Sequence, residues 1–250
     1  MSARSSAKSR VPAVGNDSAD NPSVAARTLS QIIERGARVQ APAVRAYVER
    51  LRQQNPDATP AEIIGKLEKH YLAAVMASGA AVGSAAAFPG IGTLVALSAV
   101  AGETVVFLEA TAVFVLAVAE VHGIPAEHRE RRRALVLAVL VGEDSKHALA
   151  DLIGSGRTSG AWLADGAASL PLPAVSQLNS RLLRYFVKRY TLKRGAIAFG
   201  KMLPVGVGAV VGGVGNRLMG RKIIGNARQA FGNPPPRWPS TLLVLPPPKQ

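Results

Sequence analysis

Three amphipathic stretches open the chain. From about Ser23 to Val39, Leu29, Ile32, Ile33 and Ala37 fall on one face with Arg35 and Arg38 opposite, the spacing of a 3.6-residue helix. From Pro42 to Gln54, Val44, Tyr47, Val48 and Leu51 recur at i, i+3, i+4 and i+7, and Pro42 suits a first helical turn. Thr59-Pro60-Ala61-Glu62 is a start signal: a capping hydroxyl, a proline at the first turn and an acid that can reach back to the cap. The helix it opens holds Ile63, Ile64, Leu67, Tyr71 and Leu72.

The alternation then stops. Between Tyr71 and Gly102 the tyrosine is the sole ionisable side chain, and Phe88-Pro89-Gly90-Ile91-Gly92 is the one break. Beyond Glu103, the run from Thr104 to Ala119 is interrupted by Glu109 alone. The pattern predicts two apolar helices, about 71–88 and 91–122, joined by a Pro-Gly turn. A helix apolar on all sides sits at the centre of a bundle or in lipid. A spanning helix needs about 20 apolar residues, which leaves both arms at the margin.

After His122-Gly123-Ile124-Pro125 a new helix starts, basic in its first turns and apolar from Ala134 to Val141. A short helix at about 145–153 and a Gly/Ser/Pro-rich connector at 155–173 follow. From Val175 to Tyr190, Leu178, Leu182, Phe186 and Tyr190 share one face, and Arg181, Arg184 and Lys188 make a basic stripe. A basic amphipathic helix with aromatic residues on its apolar side suits a membrane interface. The uncharged, glycine-rich run from Met202 to Asn216 precedes a last helix ending near Phe231. These elements predict an all-α fold, a bundle of about eight helices over 23–231. A central apolar hairpin at 71–122 and a glycine-rich C-terminal helix would form its centre. Residues 1–22 are Ser-rich and polar with no signal-peptide run, and 232–250 are Pro-rich; both are expected to be disordered tails.

Charge sharpens the picture. The formal net charge is +14, and residues 155–250 carry 14 Lys/Arg against one Asp/Glu, whereas 71–119 hold no Lys/Arg at all. Such a chain could meet anionic lipid or nucleic acid. No helix-turn-helix, zinc-finger or RNA-binding signature is present, and the basic residues alternate with apolar stretches, which favours lipid. The absence of cysteine excludes disulfides, thiolate metal sites and a cysteine nucleophile.

Two sets of positions stand out. Gly79 and Gly83 form one GxxxG step, and Gly208 and Gly212 another; small residues on one stripe let helix backbones approach closely. Glu103 and Glu109 lie in an otherwise apolar helix, about 120° apart, so they are not an acid pair. They are expected to be buried, where a charge is costly unless paired. The favoured reading is a structural partner among Arg181, Arg184 and Lys188; the other is an ion or substrate site. His70, His122, His128 and His147 make no HExxH, and neither GxSxG nor a P-loop occurs. No metal, cofactor or catalytic set is expected, and the chain is read as a non-enzyme.

Three stretches together resemble the EcsC family of bacterial proteins. They are Gly79–Gly92 (GAAVGSAAAFPGIG), then Ala119-Glu120-Val121-His122-Gly123 with Glu127, Arg129 and 134–142, and finally Leu203–Gly212 with Asn216 and the 224–231 ending. The resemblance spans roughly 60–231. This chain carries an extra Gly206-Val207 step, and His122 where an aromatic residue is commoner. The family is named for a component encoded beside an ABC transporter. The resemblance therefore implies a cytoplasmic, membrane-associated helical protein, accessory to a transporter or secretion system, with no functional residues to carry over. The rival expectations are an integral protein with two or more spans, a lipid-binding carrier or enzyme, and a soluble nucleic-acid binder.

Overall fold

The computed structural model describes residues 41–85, 93–124, 126–143, 145, 171–197 and 207–239; for 82–85, 93–101, 187–197 and 207–212 it describes the helical backbone alone. Among the described residues there are six helices and no strand, so the fold is all-α. They are α1 Ala41–Gln53, α2 Pro60–Ala85, α3 Thr93–Val121, α4 Arg129–Val141, α5 Leu172–Ile197 and α6 Val207–Phe231. The helices expected at 23–39 and 145–153 lie outside the described residues, as do most of the 155–173 connector and the 88–92 turn.

α1 buries Val44, Val48 and Leu51, the face its spacing predicts. Arg45 on its other side meets Glu120 at 3.3 Å and Glu127 at 2.6 Å, which fixes α1 over the α3–α4 corner. The capping box forms as the sequence predicts. The Thr59 backbone N–H donates to Glu62 Oε2 at 2.8 Å, and the Glu62 N–H donates back to Thr59 Oγ1 at 3.3 Å. The Thr59 N–H and hydroxyl, both donating to Glu62 Oε2, hold that carboxyl below its ordinary value.

Two expected boundaries vanish. The amphipathic and apolar stretches on either side of Tyr71 are one helix, α2, and the glycine-rich run joins the last helix in α6. Nothing in either sequence supplies a stop, since alanine continues a helix and isolated glycine only weakens it. The centre also extends beyond the expected one, into α4. Residues 114–119 of α3 and 134–139 of α4 are buried all round, and here the core is closed. In α2 the uncharged run still keeps an outer side, with Ala73, Ala74, Ala77 and Ala81 exposed. An alanine exposes one methyl, so the absence of charge does not require burial.

α5 lays Val175, Leu178 and Leu182 against α4. Asn179 donates to the Glu130 carbonyl at 3.0 Å and to its carboxylate at 2.7 Å. Gly142 ends α4 with φ +76°, and a Cβ there would lie 2.7 Å from the Asn226 amide; that amide donates to the Val139 carbonyl at 2.8 Å. Only glycine satisfies both the dihedral and the approach. The segment after α6 is not a free tail over its first part. Trp238 Nε1 donates to the Ala58 carbonyl at 3.2 Å, and Arg52 sits 4.2 Å over its ring, while Pro239 lies against Gly123.

Candidate functional site

α2 and α6 pack along one another more extensively than any other helix pair. Gly79 is buried. The surroundings of Gly83, Gly208 and Gly212 lie outside the described residues. The close approaches that are described fall further along α6. A Cβ on Gly213 would lie 3.7 Å from the Met76 carbonyl oxygen, and one on Gly220 would come within 2.9 Å of Leu72 Cδ2 and 3.1 Å of Val75 Cγ2. Gly213, Asn216 and Gly220 share a face at i, i+3 and i+7, a signal readable in the sequence once the helix is known to be continuous.

Between the two glycines, the Asn216 amide bridges three helices. Its Nδ2 donates to the Val75 carbonyl of α2 at 2.9 Å and to Glu103 Oε1 of α3 at 2.8 Å. Glu103 is half-buried, and its described partner is this amide rather than an arginine of α5. Glu109 is exposed, which corrects the expectation that it is buried. The α3 register turns it outward, because Leu108, Thr111 and Ala112 occupy the inward side.

One turn deeper, Tyr71 is buried and stacks on Phe114 with ring centroids 4.8 Å apart. Its hydroxyl bonds Thr111 Oγ1 at 2.9 Å, and Thr111 Oγ1 donates to the Phe107 carbonyl at 2.7 Å. Burial pushes the phenol far above its ordinary range, so it stays neutral. Towards the end of α6, Arg228 grips Glu68 through two bonds of 2.7 and 2.6 Å. The pair borders a cleft of about 280 Å³ between α2, α3 and α6, floored by Ile64, Phe114, Val118 and Phe231. His122 lines it too, its ring 5.4 Å from that of Phe231, and burial lowers its pKa. No cluster of three metal-ligating side chains occurs among the described residues.

The expected basic stripe is only partly a surface. Arg184 is exposed and Arg181 is half-buried, while the side chain of Lys188 lies outside the described residues. Val175, Leu178 and Leu182 of α5 are buried towards α4, while Leu172 and Tyr185 are exposed. The most exposed large apolar side chains among the described residues gather on α6, at Val214, Leu218 and Met219.

One stretch among the described residues, Gly102–Val121, is long and apolar enough to cross a membrane, and 56% of it is buried inside the fold. The core helix of a soluble bundle has the same length and composition. The fold thus defines an all-α bundle closed on α3 and α4. No protein-family model, curated protein or solved structure matches the chain.

Proposed function

We propose that this chain is a non-enzymatic, membrane-associated helical protein that works at the cytoplasmic face of a bacterial membrane. On the resemblance to the EcsC family, it would act beside a transporter or secretion system. The observation that carries this reading is the charge of the last two helices. α5 holds Arg181, Arg184, Lys188, Arg189, Lys193 and Arg194, α6 holds Arg217, Arg221, Lys222 and Arg228, and neither contains a carboxylate. Such helices are attracted to anionic lipid at about 1 kcal/mol per basic residue near the surface. Fractionation of the bacterially expressed protein tests it: membrane-bound protein released by high salt is the expected result. Recovery of nearly all of it as a monodisperse soluble species at low salt overturns it.

A second reading, an integral protein, draws on Gly102–Val121. It predicts protein that resists both salt and carbonate washes. Burial of more than half of that stretch against other helices supports the peripheral reading.

A further inference from the structure

We propose that the outer face of α6 is a docking surface for an anionic lipid bilayer, with the helix lying flat upon it. The proposal rests on the membrane-associated reading above and assigns it a specific surface. α6 turns Gly213, Gly220, Ile223, Ile224, Ala227 and Ala230 inward. At about 100° per residue, the opposite arc is centred on Leu218, which is 63% exposed, with Val214 one turn earlier at 51% and Met219 at the margin at 53%. A helix that already has a complete buried side has no structural need for a second apolar one. Large aliphatic side chains held this far into water are the expected feature of a surface awaiting a partner.

The charges identify that partner. Arg217 and Arg221 border the arc on one flank, and Lys222 lies between Leu218 and Met219 towards the other, all three exposed. No carboxylate occurs anywhere in α6. An apolar centre with cationic borders matches the two layers of a lipid surface. The aliphatic side chains enter the acyl boundary, while the Lys/Arg stems lie along it and raise their charges to the phosphates. A second copy of the chain fits poorly, because two such faces would bring like charges together. On α5, Val175, Leu178 and Leu182 are used against α4, and the exposed apolar residues among its described side chains, Leu172 and Tyr185, stand more than three turns apart.

The absence of cysteine gives a direct test. Leu218→Cys in the full chain takes a single environment-sensitive fluorophore, and Arg50→Cys, on the exposed side of α1, carries the same label as control. Each is mixed with phosphatidylcholine vesicles with and without 30–40% phosphatidylglycerol. Cosedimentation and emission are read together. The expected result is binding to the anionic vesicles, with a blue shift and a several-fold rise in emission at position 218 and little change at 50. Arg217→Gln with Arg221→Gln, at unchanged melting temperature, is expected to weaken binding about 30-fold, from about fivefold per charge, and to flatten its salt dependence. Binding with no change at position 218 overturns this surface and leaves the membrane reading standing. Failure to bind any vesicle overturns both. A shift at 218 that follows protein concentration without vesicles assigns the face to a second copy and also overturns the proposal.

Discussion

Asn216 donates its amide to the carboxylate of Glu103 at 2.8 Å, across 113 residues of chain. The same nitrogen holds the Val75 carbonyl, so one side chain ties α6 to two helices at once. Replacing Asn216 by Leu removes both donors and leaves a half-buried carboxylate without this partner. The expected loss is about 1–3 kcal/mol, read by denaturant unfolding. Glu103→Gln, which can still accept from the amide, should lose much less. Equal losses in the two variants would contradict the role given to the pair.

The buried hydroxyl chain predicts an asymmetry. Thr111 Oγ1 donates to Phe107, so the Tyr71 hydroxyl is the donor to Thr111. Tyr71→Phe removes one bond and keeps the stacked ring, at about 1 kcal/mol. Thr111→Val strands a buried phenol without an acceptor and should cost more, about 1–3 kcal/mol. Thermal unfolding of both variants checks the order.

Glycines of α6 divide by what a side chain would meet. Gly220→Leu drives against Leu72 and Val75 and is expected to cost about 1–3 kcal/mol. Gly225 faces open space, so Gly225→Ala should stabilise, up to about 1 kcal/mol, through helix propensity alone. A Gly220→Leu variant as stable as the parent would remove the close α2–α6 approach from the account.

His122 predicts a dependence on pH. Its folded-state pKa is lowered by burial, so below about 6.5 the unfolded chain binds a proton that the folded chain refuses. This group therefore costs no stability above that pH, lowers it as the pH falls from there towards the folded value, and changes it no further below that value. Glu68 and Arg228 share the cleft with it. His122→Phe should flatten the slope of stability just below about pH 6.5 while keeping the aromatic contact with Phe231. An unchanged slope would assign the dependence elsewhere.

Local chemistry was legible in the sequence, and long-range pairing was not. The Thr59–Glu62 cap and the Val44, Val48, Leu51 face depend on residues within two turns, and both appear as the spacing requires. The two glycine stripes fall in α2 and α6, which pack along one another. The pattern could not show which glycines lie closest, because that depends on the continuity of α2 and α6. The outward turn of Glu109 follows from a few degrees of helix rotation, invisible in a run where nearly every position is apolar. Asn179, Asn216 and Asn226 each donate to a neighbouring helix, and an asparagine in sequence gives no hint of its acceptor. Asn216 did stand out within the Leu-Pro-to-Asn motif, though without a partner. Trp238 was placed in a disordered tail because proline forbids helix there, yet an ordered segment need not be helical.

The pairing of α2 with α6 has a consequence for the order in which the protein can be made. A ribosome completes Pro60–Ala85 long before it reaches Val207–Phe231, and through that interval the flank of α2 that Gly213 and Gly220 will cover has no partner. Contacts so distant in sequence form slowly, and a nascent chain whose flank of Leu72, Val75 and Met76 is uncovered is exposed to aggregation. Synthesis close to a chaperone or a lipid surface would shield that flank until the last helix arrives, so truncation ahead of Val207 should yield not a smaller bundle but an insoluble chain.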